Sequence, residues 1–372
     1  MSAAELESVR VGVVGVGHVG TAHAREISTG RVRGATLAAL CDTNPAALAA
    51  FPGLPGFSTA EGLIASGAID ALLIATPHYD HTPLAVAALA AGLHVLVEKP
   101  LAVHKADCLA MLAAYERRPD PRQVFAEMLS QRVDPRFLEL RELISSGKLG
   151  ALRRINWVVT DWFRTDAYYR SSSWRATWRG EGGGVLLNQA PHNLDAWQWL
   201  FGMPARVRAF CGFGRFHPIE VEDQVTAYLE YEDGLNGVFV TSTGEAPGSN
   251  RLEVAGDLGQ VVMEGGTLRI TRNAGSTAEF IRHSSDRNAR PLVTTESASF
   301  QPVDNPRRVV IQNFIAAILK GENLIAPASE GMASVELANA MIYSSIAGQT
   351  VDLPLDPALY ATELARLVTL NR

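Results

Sequence analysis

The chain has 372 residues, 47% hydrophobic and 19% charged, with 33 Lys and Arg against 39 Asp and Glu and a formal net charge of −6. That length exceeds one ordinary core and suits two domains. The acidic balance argues against nucleic acid or an anionic membrane surface as partner. Three scattered cysteines, Cys41, Cys108 and Cys211, argue against a disulfide framework or a thiolate zinc cluster, and no metal is expected. No apolar run reaches the ~20 residues of a membrane helix. The first residues carry acids rather than the basic start of a cleavable signal, so a cytoplasmic location is expected.

Residues 9–16 (VRVGVVGV) read as a buried parallel strand running into glycine. Gly15-Val16-Gly17-His18-Val19-Gly20 then fits GxGxxG, with a helical pattern behind it. In that strand-to-helix context the first glycine allows a tight turn. The second lets backbone approach a pyrophosphate, and the third lets helix and strand pack closely. The helix N-terminus offers unpaired N–H groups to phosphate. Residues 36–41 form a second strand closed by Asp42, 27 positions after Gly15. A carboxylate there suits the adenosine ribose hydroxyls and repels a 2′-phosphate, so NAD is favoured. Arg33 and Thr43-Asn44 leave NADP open. Residues 70–75 form a third strand, followed by Thr76-Pro77. Residues 81–91 are helical, and residues 94–97 form a strand entering Glu98-Lys99-Pro100. Strands alternating with helices predict a Rossmann-type α/β domain over residues 1–125.

The pattern changes beyond. Residues 152–160, 205–212, 224–231, 237–243 and 251–255 read as strands without intervening helices. Asp233-Gly234 and Glu264-Gly265-Gly266 are hairpin signals. Residues 306–320 and 329–345 read as helices. Residues 126–372 are therefore expected to form an α+β domain on a large, mostly antiparallel open sheet, for substrate binding and oligomerisation.

Lys99 sits at a strand's carboxyl end, where open α/β sheets bind ligands. Its ammonium can polarise a developing carbonyl oxygen. In GEGGGVLLNQAPHNLD (residues 180–195), helical spacing sets Asn188 and His192 at i and i+4 on one face, with Pro191 marking a helix start or bend. Gly182–Gly184 allow backbone or substrate to come close. His192, with an ordinary pKa near 6.5, suits removal of a hydroxyl proton. Asp195, three positions on, could neighbour it. Residues 161–184 concentrate aromatics and arginines, of which Tyr168, Trp174, Arg175 and Trp178 are the chosen substrate contacts. An interface filler is the other reading of this segment.

The glycine motif, ATPHYDHTPLAVAALAAGLHVLVEKPLA (residues 75–102) and GGGVLLNQAPHNLD together resemble the glucose–fructose oxidoreductase/inositol dehydrogenase (Gfo/Idh/MocA) family. The resemblance spans nearly the whole chain. It implies NAD(P)-dependent oxidation or reduction of a sugar, glycoside or cyclitol hydroxyl, with Lys99 and His192 catalytic. It places Thr76, Pro77, His81 and Glu98 on the nicotinamide side and Arg132 near the ligand, and it implies a homodimer or homotetramer. Asn188 departs from it, since the family's usual residue there is aspartate. Asparagine cannot carry charge, so Asn188 is expected to orient substrate and His192 to lack an anionic partner at that position. Asn188→Asp is then expected to raise the histidine's pKa. Three rivals remain: a glycosidase working by oxidation, elimination and re-reduction on a retained cofactor, a non-catalytic dinucleotide-bound sensor, and reduction of an imine or biliverdin-like substrate, which the Lys–His pair suits less well than a carbonyl/alcohol couple.

Overall fold

The computed structural model describes residues 7–370; the acidic lead-in at 1–6 lies outside the described residues. Six parallel strands form the first sheet: β1 (Val9–Val14), β2 (Ala35–Cys41), β3 (Gly56–Phe57), β4 (Ala71–Ile74), β5 (His94–Val97) and β6 (Phe125–Glu127). Their order is β3-β2-β1-β4-β5-β6, the Rossmann order with its crevice between β1 and β4. Every residue of β4 is buried. Such strands are covered on both faces, which is why they read as unbroken apolar runs.

The second sheet has nine strands: β7 (Leu152–Val159), β8 (Arg206–Phe213), β9 (Glu222–Glu230), β10 (Asn236–Ser242), β11 (Asn250–Gly256), β12 (Gly259–Glu264), β13 (Thr267–Asn273), β14 (Val293–Ser299) and β15 (Val351–Asp352). The order is β14-β13-β12-β11-β7-β10-β9-β8-β15. All neighbours are antiparallel except β7 and β10, which run parallel. In β7, Ile155, Trp157 and Val159 alternate inward, so one face carries the core. Gly265 and Gly266 both take positive φ (55° and 83°) between the paired Glu264 and Thr267, as a two-residue hairpin of this hand requires.

Helices Pro191–Phe201 and Ala328–Ala347 cover the inner face, where Leu194, Trp197, Leu337 and Met341 join Trp157 and Phe239 in one core. The opposite face leaves Phe210 60% and Tyr228 41% exposed. β6 begins at residue 125, where the first domain was expected to close. Helix Pro306–Lys320 also returns to the first sheet, packing Val310, Ile311 and Phe314 against Val9, Val11 and Leu37. An amphipathic pattern shows that a helix buries one face, but not which sheet receives it. Among the described residues, no helix is long and apolar enough to cross a membrane, and no cluster of His, Cys, Asp or Glu could hold a metal ion.

Candidate active site

The glycine loop follows β1. Gly15 has φ +84°, and a Cβ there would lie 2.6 Å from the Ala75 carbonyl oxygen. A Cβ on Gly20 would lie 1.8 Å from the Gly15 carbonyl oxygen, whereas one on Gly17 would meet nothing within 4 Å. The first and third glycines thus serve close backbone packing, and the second opens onto free space. Helix His18–Ser28 begins at His18 with no side-chain cap on its N–H groups. Asp42 accepts from the Val16 N–H at 2.7 Å and the Asn44 N–H at 2.8 Å, which fixes its carboxylate beside the loop. Thr76 Oγ1 is buried without a partner. An open Gly17 face, uncapped helix N–H groups and an adjacent carboxylate fit a dinucleotide's pyrophosphate and ribose.

Glu98 and Lys99 follow β5. Glu98 Oε1 lies 2.6 Å from His23 Nε2, and Oε2 accepts from the Lys99 N–H. Burial pushes this carboxyl up, but the His23 bond and the charges of His23, Lys99 and Arg307 outweigh it and hold it at about 2. Glu98 therefore points into the protein and fastens β5 to the first helix, rather than facing outward as a cofactor ligand. His81 is also withdrawn. It is fully buried, with ring nitrogens 2.9 Å from the Pro100 carbonyl and 3.0 Å from the Thr76 carbonyl. It braces the two loops that frame the crevice.

Lys99 Nζ donates to the main-chain carbonyl of Asn188. The Lys99 pKa lies below its ordinary value through burial, opposed by Glu98 and Glu181 and assisted by Arg307 and Arg175. Asn188 and His192 do not share one helix. Residues Val185–Asn188 form a short helix, and Pro191 starts another, Pro191–Phe201. The proline cannot donate into a preceding turn, so the chain breaks before it. Asn188 bonds to Glu181, Tyr168, Gln189 and Lys99, not to His192. His192 Nδ1 is buried without a partner. Burial first, then the charge of Lys99, lowers its pKa to about 3, so the ring is neutral at pH 7 and able to accept a proton. Gly182–Gly184 are fully buried and pack against protein rather than ligand. A Cβ on Gly182 would lie 2.1 Å from Val103, and one on Gly184 would lie 2.0 Å from the Glu222 carbonyl oxygen.

The aromatic segment divides. Tyr168 OH accepts from Arg175 at 2.8 Å and lies 3.3 Å from Asn188 Oδ1. Arg175 stacks between Tyr168 and Trp174, 4.6 Å from each ring, and Trp174 meets His78 edge-on at 5.6 Å. These three side chains are gathered at the cleft. Trp178 is not. It is 2% exposed and packs on Phe213. Arg132 is also misassigned as a ligand contact. It is 2% exposed and bonds Asp195 through Nε and Nη2, at 2.9 and 2.6 Å, with Glu330 and the Ile325 carbonyl on Nη1. The same pair removes Asp195 from His192.

Sequence reading missed Glu181, which accepts from Asn188 inside the cleft. It missed Arg307, whose charge acts on Glu98, Lys99 and His192 from the first turn of helix Pro306–Lys320. It also missed His78, whose Nδ1 lies 3.0 Å from the Glu181 carbonyl. The acid in GEGGG was a visible signal; the other two depend on long-range packing. Beside His192 in the chain, Asn193 lines a cavity of about 280 Å³ with Gln131, Asp161 and Asn250.

Comparison with known proteins agrees with this fold. The family model "Oxidoreductase family, NAD-binding Rossmann fold" matches residues 9–125, and "GFO/IDH/MocA C-terminal domain" matches residues 137–262. Inositol 2-dehydrogenase 2 of Saccharopolyspora erythraea is 29% identical over 364 residues, 95% of this chain and 98% of its own. Inositol 2-dehydrogenase of Corynebacterium glutamicum (strain R) is 38% identical over 200 residues, 53% of this chain and 55% of its own. The crystal structure of the WlbA dehydrogenase from Bordetella pertussis, in complex with NADH and UDP-GlcNAcA, superposes with a TM-score of 0.78 at 26% identity. That match covers 94% of this chain and 100% of the other. With a family model on each domain and likeness along nearly its whole length, the chain belongs to the Gfo/Idh/MocA family of oxidoreductases.

Proposed function

We propose that this oxidoreductase acts on a CH–OH group of a neutral sugar, glycoside or cyclitol, with Lys99 polarising the substrate oxygen and His192 exchanging its proton. The observation that carries the reading is that Lys99, just beyond the carboxyl end of β5, lies near enough to His192, in the first turn of helix Pro191–Phe201, for its charge to act on the ring. NAD, when bound at the glycine loop, supplies the hydride acceptor. Lys99 holds an ammonium where negative charge grows on oxygen. His192 is neutral and accepts the hydroxyl proton. Tyr168, Trp174 and Arg175 form a wall for the ring. The similarity to inositol 2-dehydrogenase 2 along nearly the whole chain favours the same substrate class. The uncovered sheet face, with Phe210 and Tyr228, suits a second copy of the chain, as in a homodimer or homotetramer.

The test follows nicotinamide absorbance with NAD and a panel of cyclitols, free sugars and pyranosides, with His192→Ala as control. NADH from the wild type alone is expected. No NADH from any compound would overturn the reading. Glycoside cleavage with NAD retained on the protein would move it to the oxidative glycosidase.

NAD is the preferred cofactor on the strength of Asp42. Asp42→Ala is expected to raise KM for NAD roughly tenfold, the scale of one charge-assisted hydrogen bond, and to narrow the NAD/NADP ratio of kcat/KM. An unchanged ratio would remove Asp42 from cofactor choice.

A further inference from the structure

We infer that Glu181 supplies, through Asn188, the negative charge that this cleft sets against Lys99, so that Glu181 and Asn188 act as one positioning unit. The carboxylate is 2% exposed. Oε2 accepts from the Ala176 N–H at 2.6 Å, and Oε1 accepts from Asn188 Nδ2. Both of these partners are donors, which suits the ionised form. Ala176 takes the left-handed conformation, φ 56°, a cost of about 1 kcal/mol or more for a residue with a Cβ. Its N–H is thereby turned onto Glu181.

The identity of residue 188 follows from this contact. Asn188 donates to Glu181 through Nδ2, while its Oδ1 accepts from Tyr168 and Gln189 and its main-chain carbonyl accepts from Lys99. An amide meets all these demands because it has donors on one side and an acceptor on the other. An aspartate would bring a second carboxylate against Glu181, and one of the two would have to take up a proton. The departure at 188 therefore leaves the cleft with its anion, carried seven positions earlier in the chain. It also changes what Asn188→Asp does. The new carboxylate shares a proton with Glu181 instead of adding a full charge beside His192.

The charges around the unit are few. Lys99 faces Glu98 and Glu181 as anions and Arg307 and Arg175 as cations, with neutral His192 alongside. Glu181 faces Lys99 and Arg175, has Glu222 across the glycine stretch and Tyr169 nearby, and presents its carbonyl to His78. Burial holds Glu222 up at about 7 and His78 well below its ordinary value. Burial raises Glu181 as well, opposed by its bonds to Ala176 and Asn188 and by the charges of Arg175 and Lys99, and its carboxylate and that of Glu98 are the acids set against the Lys99 ammonium.

The catalytic meaning of the pair rests on the dehydrogenase reading, but the charge link can be measured without a substrate. The chain has four lysines, so protein carrying ε-13C lysine gives four carbon signals, and Lys99→Arg assigns one. Glu181→Gln is expected to lower the Lys99 pKa by roughly 1 unit. Glu181→Gln with Asn188→Asp returns the charge to the unit and is expected to restore most of that shift. With the best polyol, Glu181→Gln is expected to lose roughly 10–100-fold in kcat/KM, and the double variant to regain at least about fivefold. A Lys99 titration unmoved in Glu181→Gln would overturn the inference, as would a double variant no nearer the wild type than the single. Should Glu181→Gln fail to fold, Asn188→Asp alone decides. A proton taken up near neutral pH by the new carboxyl pair supports the unit, and its absence sinks it. Wild type that oxidises no polyol would defeat the dehydrogenase reading and leave the lysine result standing.

Discussion

Lys99→Met is expected to lower kcat for polyol oxidation by about 10³-fold while NAD affinity stays within roughly twofold. Methionine keeps most of the stem's volume and removes only the ammonium. The fold should hold, because the Lys99 bond into the second domain ends on a main-chain carbonyl at the cleft wall. The pH behaviour follows from the two shifted groups. Lys99 lies below its ordinary value through burial, so the alkaline limb of kcat/KM should fall below pH 10.5 as the ammonium is lost. His192 lies at about 3 through burial and the charge of Lys99. Its neutral, proton-accepting form is therefore present everywhere above that value, and the acidic limb should lie well below pH 6.5. Lys99→Met removes one of the terms that depress His192, so the histidine's pKa should rise in the variant. Histidine NMR with His192→Ala for assignment reads that shift. A variant retaining more than about a tenth of wild-type kcat would remove Lys99 from the chemistry.

The parts of the site legible in the sequence were those fixed by a few consecutive residues. Gly15, Gly17 and Gly20 are bound to one turn between one strand and one helix, and their spacing states the geometry. Lys99 is placed by the strand it follows. His192 is placed by Pro191, which starts its helix. The rest depends on contacts that no local pattern carries. Glu181 reaches Asn188 around three glycines whose path is set by Val103 and by the Glu222 backbone. Trp178 belongs to a loop, where no periodicity marks an inward side chain, and only Phe213 on β8 shows that it is core. Arg132 could be read as a ligand contact because an arginine near a cleft suits either role. Its partner Asp195 lies 63 positions away. Helix Pro306–Lys320 has an ordinary apolar face, and only the fold shows that it covers β1 and brings Arg307 to the crevice.

Arg132→Met is expected to destabilise the protein by about 3–5 kcal/mol, lowering Tm by on the order of 5–10 °C, and to leave the substrate KM of the folded fraction within about twofold. The reason is the company the guanidinium keeps. It bonds Asp195 twice, meets Glu330 and the Ile325 carbonyl, and lies 5.7 Å over the Trp199 ring. Asp195 is fully buried, and so is Glu127 beside it. Burial, then the charge of Asp195, pushes Glu127 far up, while Arg132 alone among its named charges draws it down. Without the arginine, two buried acids face each other with no counterion, and the cost is that of an uncompensated charge rather than of one lost bond. Glu330, half in solvent, can turn outward. Arg132→Met combined with Asp195→Leu should therefore recover more than half of the loss, because an apolar pair of similar volume can replace a buried ion pair. The contrast with a ligand-binding arginine is sharp. A substrate contact would raise KM and leave Tm alone, and that result would return Arg132 to the pocket. The loss of Tm with KM intact would show that the arginine fastens the turn after β6 to the helix that carries His192, holding the base in register with Lys99.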